Sequence, residues 1–439
     1  MAKPGSQTNH TPAQLHTARL KQIRQARRAR RVRGFLLTLL AALLALFWFT
    51  GVYGSSIALL GDLWDSVRIG AASGPGFPQK TGLGEIYQAE ELAGGFAALA
   101  QKDLVLYSAK GTQLRSIQHG YARPAIAVGG RRVCLYSRSG YEVRIESRSK
   151  TLYTKTFEQP VLFCTMSPGG SLAVVTRSAR YAAELTVYSP GMEFRYGWNP
   201  TDAEGVPLRA AFAADNRRLA VACLSAREGQ VCTGLYWLDI RSDQVTASTL
   251  APGSTLLQLH WLNADSVLAV YDDMAAVYDA ATGQETARYS YGGRRLVSAS
   301  VCGQMSALLL AGSAQRIAVL DAALEPAANI PAASSARQVV LTRTAAYSLE
   351  SEAVRCYSLT GEEQWSQELP NPPQALVQAQ KLLLFSAGQV SELAPPDDTP
   401  AAANPAAPAD AGGGAPSTPG SEPASEPPGS APLSEAPAG

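Results

Sequence analysis

Residues 161–198 read VLFCTMSPGGSLAVVTRSARYAAELTVYSPGMEFRYGW, and this stretch decides the fold. It contains four short apolar runs, separated by segments rich in Pro, Gly and Ser. The runs are rich in Val, Leu, Phe, Tyr and Thr, which suit a pleated strand, and they are too short for helices. The stretch therefore predicts four consecutive strands joined by turns, the unit that forms one blade of a β-propeller.

The second run of each such unit is almost continuously apolar. Examples are LAVV at 172–175, LAVA at 219–222, VLAV at 267–270 and ALLL at 307–310. A strand has this composition when both of its faces are covered. The inner strands of a propeller are covered by the neighbouring blades on either side, so the pattern favours this fold.

The unit of run, turn and apolar run recurs along most of the chain. It begins at residues 124, 160, 207, 255, 295, 335 and 372, and a spacing of about 35 to 50 residues is typical of four-stranded blades. Residues 104–118 look like the last two strands of a blade, and residues 372–388 look like the first two. Six whole blades and one shared by the chain ends predict an all-β, seven-bladed β-propeller that closes without free sheet edges.

The N-terminal region predicts a membrane anchor. Residues 1–33 carry nine Lys and Arg and no acid, and no charged residue occurs from 34 to 61. Residues 34–60 are therefore predicted to form one transmembrane helix, with the basic segment on the cytoplasmic side. A cleavable signal peptide is the alternative, although its apolar core is normally shorter. Membrane lipid is the expected contact of the helix.

The remaining chain is then predicted to lie outside the cytoplasm. We expect a stalk over 61–95, in which residues 83–92 fit either a short helix or an edge strand, then the propeller over 96–393 and a disordered tail over 394–439. The tail is nearly all Ala, Pro, Gly, Ser, Asp and Glu, with six acids and no base. Without the two charged ends the net charge of +2 becomes −1, so the propeller has no electrostatic basis for binding nucleic acid.

Several segments carry a resemblance to a known family. They are GFP at 76–78, LVLYSAKG at 104–111, RPAIAVGGRRVCLYSRSG at 123–140 and RYAAELTVYSPG at 180–191, following a basic tail and one apolar segment. This order resembles an uncharacterised family of single-pass bacterial envelope proteins with a seven-bladed, WD-like propeller outside the membrane. The resemblance implies an architecture and no biochemical activity.

A second, looser resemblance concerns two turns. AVYDAATGQETARY at 276–289 and CYSLTGEEQWSQ at 356–367 look like the D-x-x-T-G…W signature of quinoprotein-type propellers. In that signature the Gly makes a turn and the Trp wedges between blades. Its role is structural, so we predict no bound cofactor.

The sequence contains no convincing catalytic motif. Its four histidines are His10, His16, His119 and His260, and no pair has the spacing of metal ligands. We expect His260 to be an ordinary residue of an innermost strand. The string from Ser147 to Lys150 matches S-x-x-K but falls between two strands, where that motif does not operate. We therefore predict neither a metal site nor an enzyme.

The six cysteines leave one pairing open. Most lie in apolar strands, where a cysteine behaves as a small buried hydrophobic residue. Cys223 and Cys232 instead flank the loop LSAREGQV, and a disulfide across this hairpin is one alternative, free thiols the other.

Propellers bind ligands at the mouth of the central channel, through loops between blades and between middle strands. Here those loops fall at 119–123, 177–181, 198–205, 226–230, 272–273 and 292–295. Arginines, aromatic residues and acids suit contacts with protein or glycan. The candidate binding residues are His119, Arg123, Arg177, Arg180, Tyr181, Trp198, Asp272, Asp273 and Arg295.

Three functions are compatible with these features. The first is a membrane-anchored scaffold or receptor of the bacterial envelope that binds an unknown protein or glycan through one propeller face. The alternative is an envelope enzyme, a glycan lyase or hydrolase with its site at the channel mouth, which requires titratable groups that converge in one pocket. The third is a purely structural stalk and cap.

Overall fold

The computed structural model describes residues 74–242 and 244–395, together with Ile69. The basic segment, the predicted transmembrane helix and nearly all of the predicted tail lie outside these residues. Within the part of the chain that is described, no helix has the length and apolar character needed to span a membrane.

The described chain forms eight four-stranded antiparallel sheets, which are the blades of a propeller. Blades 1 to 4 are β2 (Ile86–Leu92), β3 (Gly95–Ala100), β4 (Asp103–Ser108), β5 (Gln113–Gln118); β6 (Pro124–Gly129), β7 (Arg132–Ser137), β8 (Glu142–Ser147), β9 (Thr151–Thr156); β10 (Val161–Met166), β11 (Leu172–Thr176), β12 (Glu184–Tyr188), β13 (Phe194–Trp198); and β14 (Val206–Phe212), β15 (Arg218–Arg227), β16 (Gln230–Asp239), β17 (Val245–Pro252).

Blades 5 to 7 continue the same order, and blade 8 joins the two ends of the ring. These blades are β18 (Leu256–Trp261), β19 (Ser266–Tyr271), β20 (Met274–Asp279), β21 (Glu285–Ser290); β22 (Arg295–Cys302), β23 (Met305–Ala311), β24 (Arg316–Leu320), β25 (Pro326–Pro331); β26 (Gln338–Leu341), β27 (Ala345–Leu349), β28 (Ala353–Ser358), β29 (Glu363–Glu368); and β30 (Pro373–Gln378), β31 (Leu382–Ser386), β32 (Gln389–Glu392), with β1 (Gln79–Lys80).

The predicted number of seven blades was wrong. Residues 104–118 and 372–388 do not share a blade, because each segment belongs to a complete blade of its own. Strands β2 and β3, which precede residue 104, complete blade 1. Residues 83–92, for which the sequence left helix and strand open, contain β2. The ring therefore begins at Gln79, inside the segment expected to be a stalk.

Ring closure uses the shortest strand of the fold. Gln79 and Lys80 pair with Val390 and Gln389 as the outermost strand of blade 8. Phe96 of blade 1 also packs edge-on against Phe385 of blade 8, with ring centroids 5.7 Å apart. The first and last strands of the propeller thus meet in one blade, as ring closure requires, but the closing strand is β1 and not the predicted segment 104–118.

The hydrophobic core is divided among the junctions between blades. Each of eight buried clusters combines side chains from two neighbouring blades, and together they follow the whole ring. Trp365 illustrates the arrangement, because it is buried with Leu376 and Leu384 between blades 7 and 8. The nearby Gly361 has a φ of +99°, which the turn requires and which other residues rarely adopt.

Glutamines join the innermost strands of neighbouring blades. The Gln88 side chain of β2 donates to the Ile126 carbonyl at 2.9 Å and accepts from the Ile126 amide at 3.1 Å. Gln338 bonds both backbone groups of Leu376 in the same way, at 2.7 and 2.9 Å. A side-chain amide thereby replaces a strand partner where no sheet continues.

Candidate functional site: the loop face and the channel mouth

The antiparallel order of each blade places two kinds of loop at the same end of the ring. Every first and third strand starts at this end, and every second and fourth strand finishes there. Loops between blades and loops joining second to third strands therefore form one surface, which we call the loop face. The opposite end, made by the first-to-second and third-to-fourth turns, is the turn face.

All six loops selected from the sequence belong to the loop face. Segments 119–123, 198–205 and 292–295 connect blades, and segments 177–181, 226–230 and 272–273 connect second to third strands. Backbone hydrogen bonds join these segments to neighbouring loops of the same face, for example from the Asp272 amide to the Thr255 carbonyl at 3.0 Å and from the Tyr291 amide to the Asp273 carbonyl at 3.1 Å. Adjacent loops of the loop face are thus tied together through their backbones.

Most of the predicted binding residues are accessible on this surface. Arg123, Arg177, Arg180, Tyr181, Asp272, Asp273 and Arg295 are exposed. The Asp272 carboxylate accepts the Thr255 amide at 2.8 Å, so part of its bonding capacity serves the loop. Within the described residues there is no group of three or more His, Cys, Asp or Glu that is arranged to hold a metal ion.

Two of the predicted binding residues lie beneath the surface instead. His119 is only 8 % exposed, its Nε2 lies 3.3 Å from the Ala100 carbonyl, and burial lowers its pKa. Its ring stacks on Tyr121 at 5.6 Å between centroids. Trp198 is half-buried and packs against Tyr236, with centroids 5.3 Å apart. Both side chains support the loops; His119 is closed off from solvent, whereas part of the Trp198 ring remains accessible.

The cysteine pair of the hairpin is not bridged. Cys223 and Cys232 are both free and buried. The register places Cys223 opposite Gly234 and Cys232 opposite Ser225, so the two cysteines are diagonal neighbours on adjacent strands. Such neighbours are about 7–8 Å apart, beyond the usual reach of a disulfide.

Two connected cavities follow the central channel. The first, of 620 Å³, opens at the loop face and is lined by the innermost strands of blades 1 to 4. The second, of 670 Å³, extends to the turn face along blades 3 to 6. Thr165, Met166 and Ala210 line both, so the cavities are successive parts of one channel.

The first cavity has an apolar wall with charged residues at its edge. Ile126, Val128, Leu162, Phe163 and Leu208 supply apolar surface. Arg138 and Arg209 line the same cavity from different blades, and Glu90 lines it from blade 1. The pKa of Glu90 is raised by the protein around it. Loss of solvent contact disfavours the carboxylate more than the hydrogen bond from Gln88 favours it.

The second cavity contains His260, which lies in the innermost strand β18 as the sequence indicated. Its Nε2 is 3.1 Å from the Gln258 side-chain oxygen, and burial lowers its pKa. Glu90 and His260 thus belong to different parts of the channel. They do not converge as an acid–base pair.

Sequence patterns marked neither the cavity residues Arg138 and Arg209 nor the exposed loop-face residue Tyr141. Arg138 and Tyr141 lie in the loop between the second and third strands of blade 2, and Arg209 lies within β14. A loop of the form R-S-G-Y carries no signature of its own, and an arginine inside an apolar strand is not expected to face a channel. The alternation of strand residues is the one signal that pointed to Arg209.

The matches to known proteins agree with this architecture. Residues 79–393 match a family of unknown function, DUF5711. The chain belongs to this family. No curated protein matches the DUF5711 chain in sequence.

Solved structures similar to this DUF5711 protein share its fold at low identity. The C-terminal WD40 domain of Sif2 is 11 % identical, with a TM-score of 0.53 over 73 % of this chain and 99 % of that one. The computationally designed Ika8 protein is 10 % identical, with a TM-score of 0.51 over 73 % and 98 %. BamB from Moraxella catarrhalis is 11 % identical, with a TM-score of 0.49 over 73 % and 99 %. The likeness to the WD40 domain and to Ika8 shows a propeller fold alone.

Proposed function

We propose that this DUF5711 protein is a membrane-anchored, extracytoplasmic scaffold or receptor of the bacterial envelope, which binds a protein or glycan through the loop face. The observation that carries the proposal is the distribution of exposed apolar side chains. Among the described residues, six of the eight large exposed ones lie in loop-face loops or in the first two residues of strands that start there: Tyr87, Tyr141, Tyr181, Val206, Val231 and Leu257.

The chemistry of the loop face supports a binding role. Exposed apolar groups that gather on one surface are typical of interaction sites, and Tyr and Arg dominate the energy of protein interfaces. The surface is also held rigid by the bonds between its loops, so little conformational entropy is lost when a partner binds. A rigid ring with accessible aromatic and basic groups suits a scaffold.

Site-specific photo-crosslinking tests this proposal. A photoreactive amino acid replaces Tyr181 on the loop face, or Arg343 on the turn face as a matched control, in the full-length chain expressed in its native cells. We expect a discrete adduct from position 181 and none from position 343. Equal adducts from both positions, or none from position 181 in a folded protein, would contradict binding through the loop face.

Membrane anchoring is tested separately. We expect the full-length chain to remain in the membrane pellet after alkaline extraction, and a variant lacking residues 1–60 to be released. Release of the full-length chain would contradict the anchor, whatever the crosslinking shows.

A further inference from the structure

A strip of arginines crosses the loop face of blades 2 and 3. The Arg138 amide donates to the Arg123 carbonyl at 2.9 Å, which places these two loops side by side. The Ser139 amide bonds to Val161 at 2.8 Å, and the Arg177 amide bonds to Pro160 at 2.9 Å. Backbone bonds therefore connect Arg123, Arg138 and Arg177 across the junction of the two blades.

These arginines have no internal counter-charge. Among the described residues, no carboxylate forms an ion pair with Arg123, Arg138, Arg177 or Arg180. The neighbouring Glu142 accepts from the Tyr121 hydroxyl at 2.5 Å, and Glu184 accepts from the Ser178 hydroxyl at 2.8 Å. In the loop-face loops between residues 119 and 183, Glu158 is the one further acid, so positive charge predominates along the strip.

The strip leads directly to the first channel cavity. Arg138 belongs to both, since it also lines the cavity. Arg209 lines the cavity from blade 4 and donates to the backbone carbonyls of Leu257 at 3.2 Å and Leu208 at 2.9 Å. These bonds fix the guanidinium without neutralising it. Between the two arginines, the wall is apolar, with Leu162 and Phe163 at its centre.

We infer that this mouth binds an extended protein segment in which an apolar side chain is flanked by carboxylates. The apolar side chain enters the cavity, and the carboxylates meet Arg138 and Arg209, whose planar guanidinium groups suit bidentate pairing. An aliphatic and phenyl wall favours an apolar side chain over a sugar ring, which would leave its hydroxyl groups unpaired. The inference rests on the proposed scaffold function and specifies its ligand.

The test uses the purified full-length chain and a fluorescent peptide, Gly-Asp-Glu-Leu-Phe-Asp-Glu-Gly. Two control peptides carry Asn and Gln in place of the acids, or Ala-Ala in place of Leu-Phe. We expect measurable binding of the first peptide, about tenfold weaker binding of each control, and weakening as salt rises from about 0.05 to 0.5 M. Equal binding of all three peptides, or binding independent of salt, would overturn the inference.

Protein variants locate the site. We expect Arg138→Glu and Arg209→Glu each to weaken binding about tenfold or more, whereas Arg343→Glu on the turn face leaves it unchanged. Glu90→Gln removes the negative charge of the cavity and should tighten binding a few-fold. Thermal unfolding checks that each variant is folded. If Arg343→Glu matches the loop-face variants, the binding is nonspecific and the inference is wrong.

Two further outcomes separate this inference from the proposed function. Competition by polygalacturonate as effective as the acidic peptide would identify an anionic glycan site and overturn the protein assignment. Preserved crosslinking at position 181 together with no peptide binding would also overturn it, while the scaffold function would stand. The absence of both the crosslink at position 181 and peptide binding would overturn both proposals.

Discussion

The arginines on the turn face of blade 4 and those on the loop face of blades 2 and 3 serve opposite purposes. On the turn face of blade 4, the Nε of Arg217 lies 2.8 Å from each carboxylate oxygen of Asp239. Arg218 holds Asp215 at 2.8 Å in the adjoining turn. These arginines therefore stabilise the turns of the fold.

On the loop face of blades 2 and 3, the arginines are exposed and lack such partners. Arg138 and Arg177 contribute backbone bonds to the loops, but their guanidinium groups form no ion pair with a carboxylate of the described residues. An ion pair with a carboxylate, rather than the residue type, therefore separates the arginines that stabilise turns from those available to a ligand.

The largest effect is expected where pairing is most buried. Glu146 is fully buried between Arg115 of blade 1 and Arg144 of blade 2, each at 2.8 Å. Glu146→Gln should lower the free energy of unfolding by about 2 kcal/mol, because it removes the buried carboxylate that pairs with two half-buried guanidinium groups. Urea unfolding measures the change. Glu158→Gln, at an exposed position, is the control and should stay within about 0.5 kcal/mol of wild type. Equal losses of stability for both variants would show that the ion pairs of Glu146 add nothing to the fold.

A smaller, pH-dependent effect is expected at the turn face. The hydrogen bond from Arg217 holds the pKa of Asp239 below its usual value. Its stabilisation is therefore present above the unfolded pKa, near 3.9, and is lost as pH falls through the lower folded pKa. Asp239→Asn should cost no more than about 1 kcal/mol at pH 7 and should flatten the loss of stability below about pH 4.

Melting temperatures measured from pH 7 to pH 2 check the behaviour of Asp239. Asp202→Asn on the loop face serves as the control and should follow the wild-type curve. An Asp239→Asn curve that runs parallel to wild type throughout would show that the pair with Arg217 contributes nothing to stability.

The smallest effect on stability is expected from the loop-face arginines. Arg138→Ala combined with Arg177→Ala should change the free energy of unfolding by less than about 0.5 kcal/mol, since no ion pair is lost. Arg217→Ala, which removes the ion pair with Asp239, should be more destabilising in the same measurement. If the loop-face double variant proves as destabilising as Arg217→Ala, these arginines hold the fold together and are not free for a ligand.

Much of the propeller was predictable because its inner strands are covered on both faces. The runs 172–175 and 267–270 read as buried strands, and they form β11 and most of β19. Strand β3 was missed, and the segment of β2 was left open between a short helix and an edge strand. Their sequences, IYQAEEL and GFAALA, contain alanines and glutamates that strands normally disfavour, and packing between blades overrides this preference.

The loop face was partly predictable. The antiparallel order of the strands places the loops between blades and the loops joining second to third strands on the loop face. Topology alone therefore grouped the six selected segments correctly. Whether a given residue is exposed depends on its neighbours. His119 is buried against Ala100 and Tyr121, whereas Arg138, which no motif marks, lines the cavity.

The sequence by itself determined the strand pattern, the repeat and the end of the ring at which the loops gather, because these depend on local periodicity and chain direction. The number of blades required the three-dimensional structure, since β2 and β3 are recognisable as the start of blade 1 only through their pairing with each other and with β4, and the two-residue strand β1 only through its pairing with β32. The tertiary structure also decided which arginines are free, because a charge is paired or unpaired only in three dimensions.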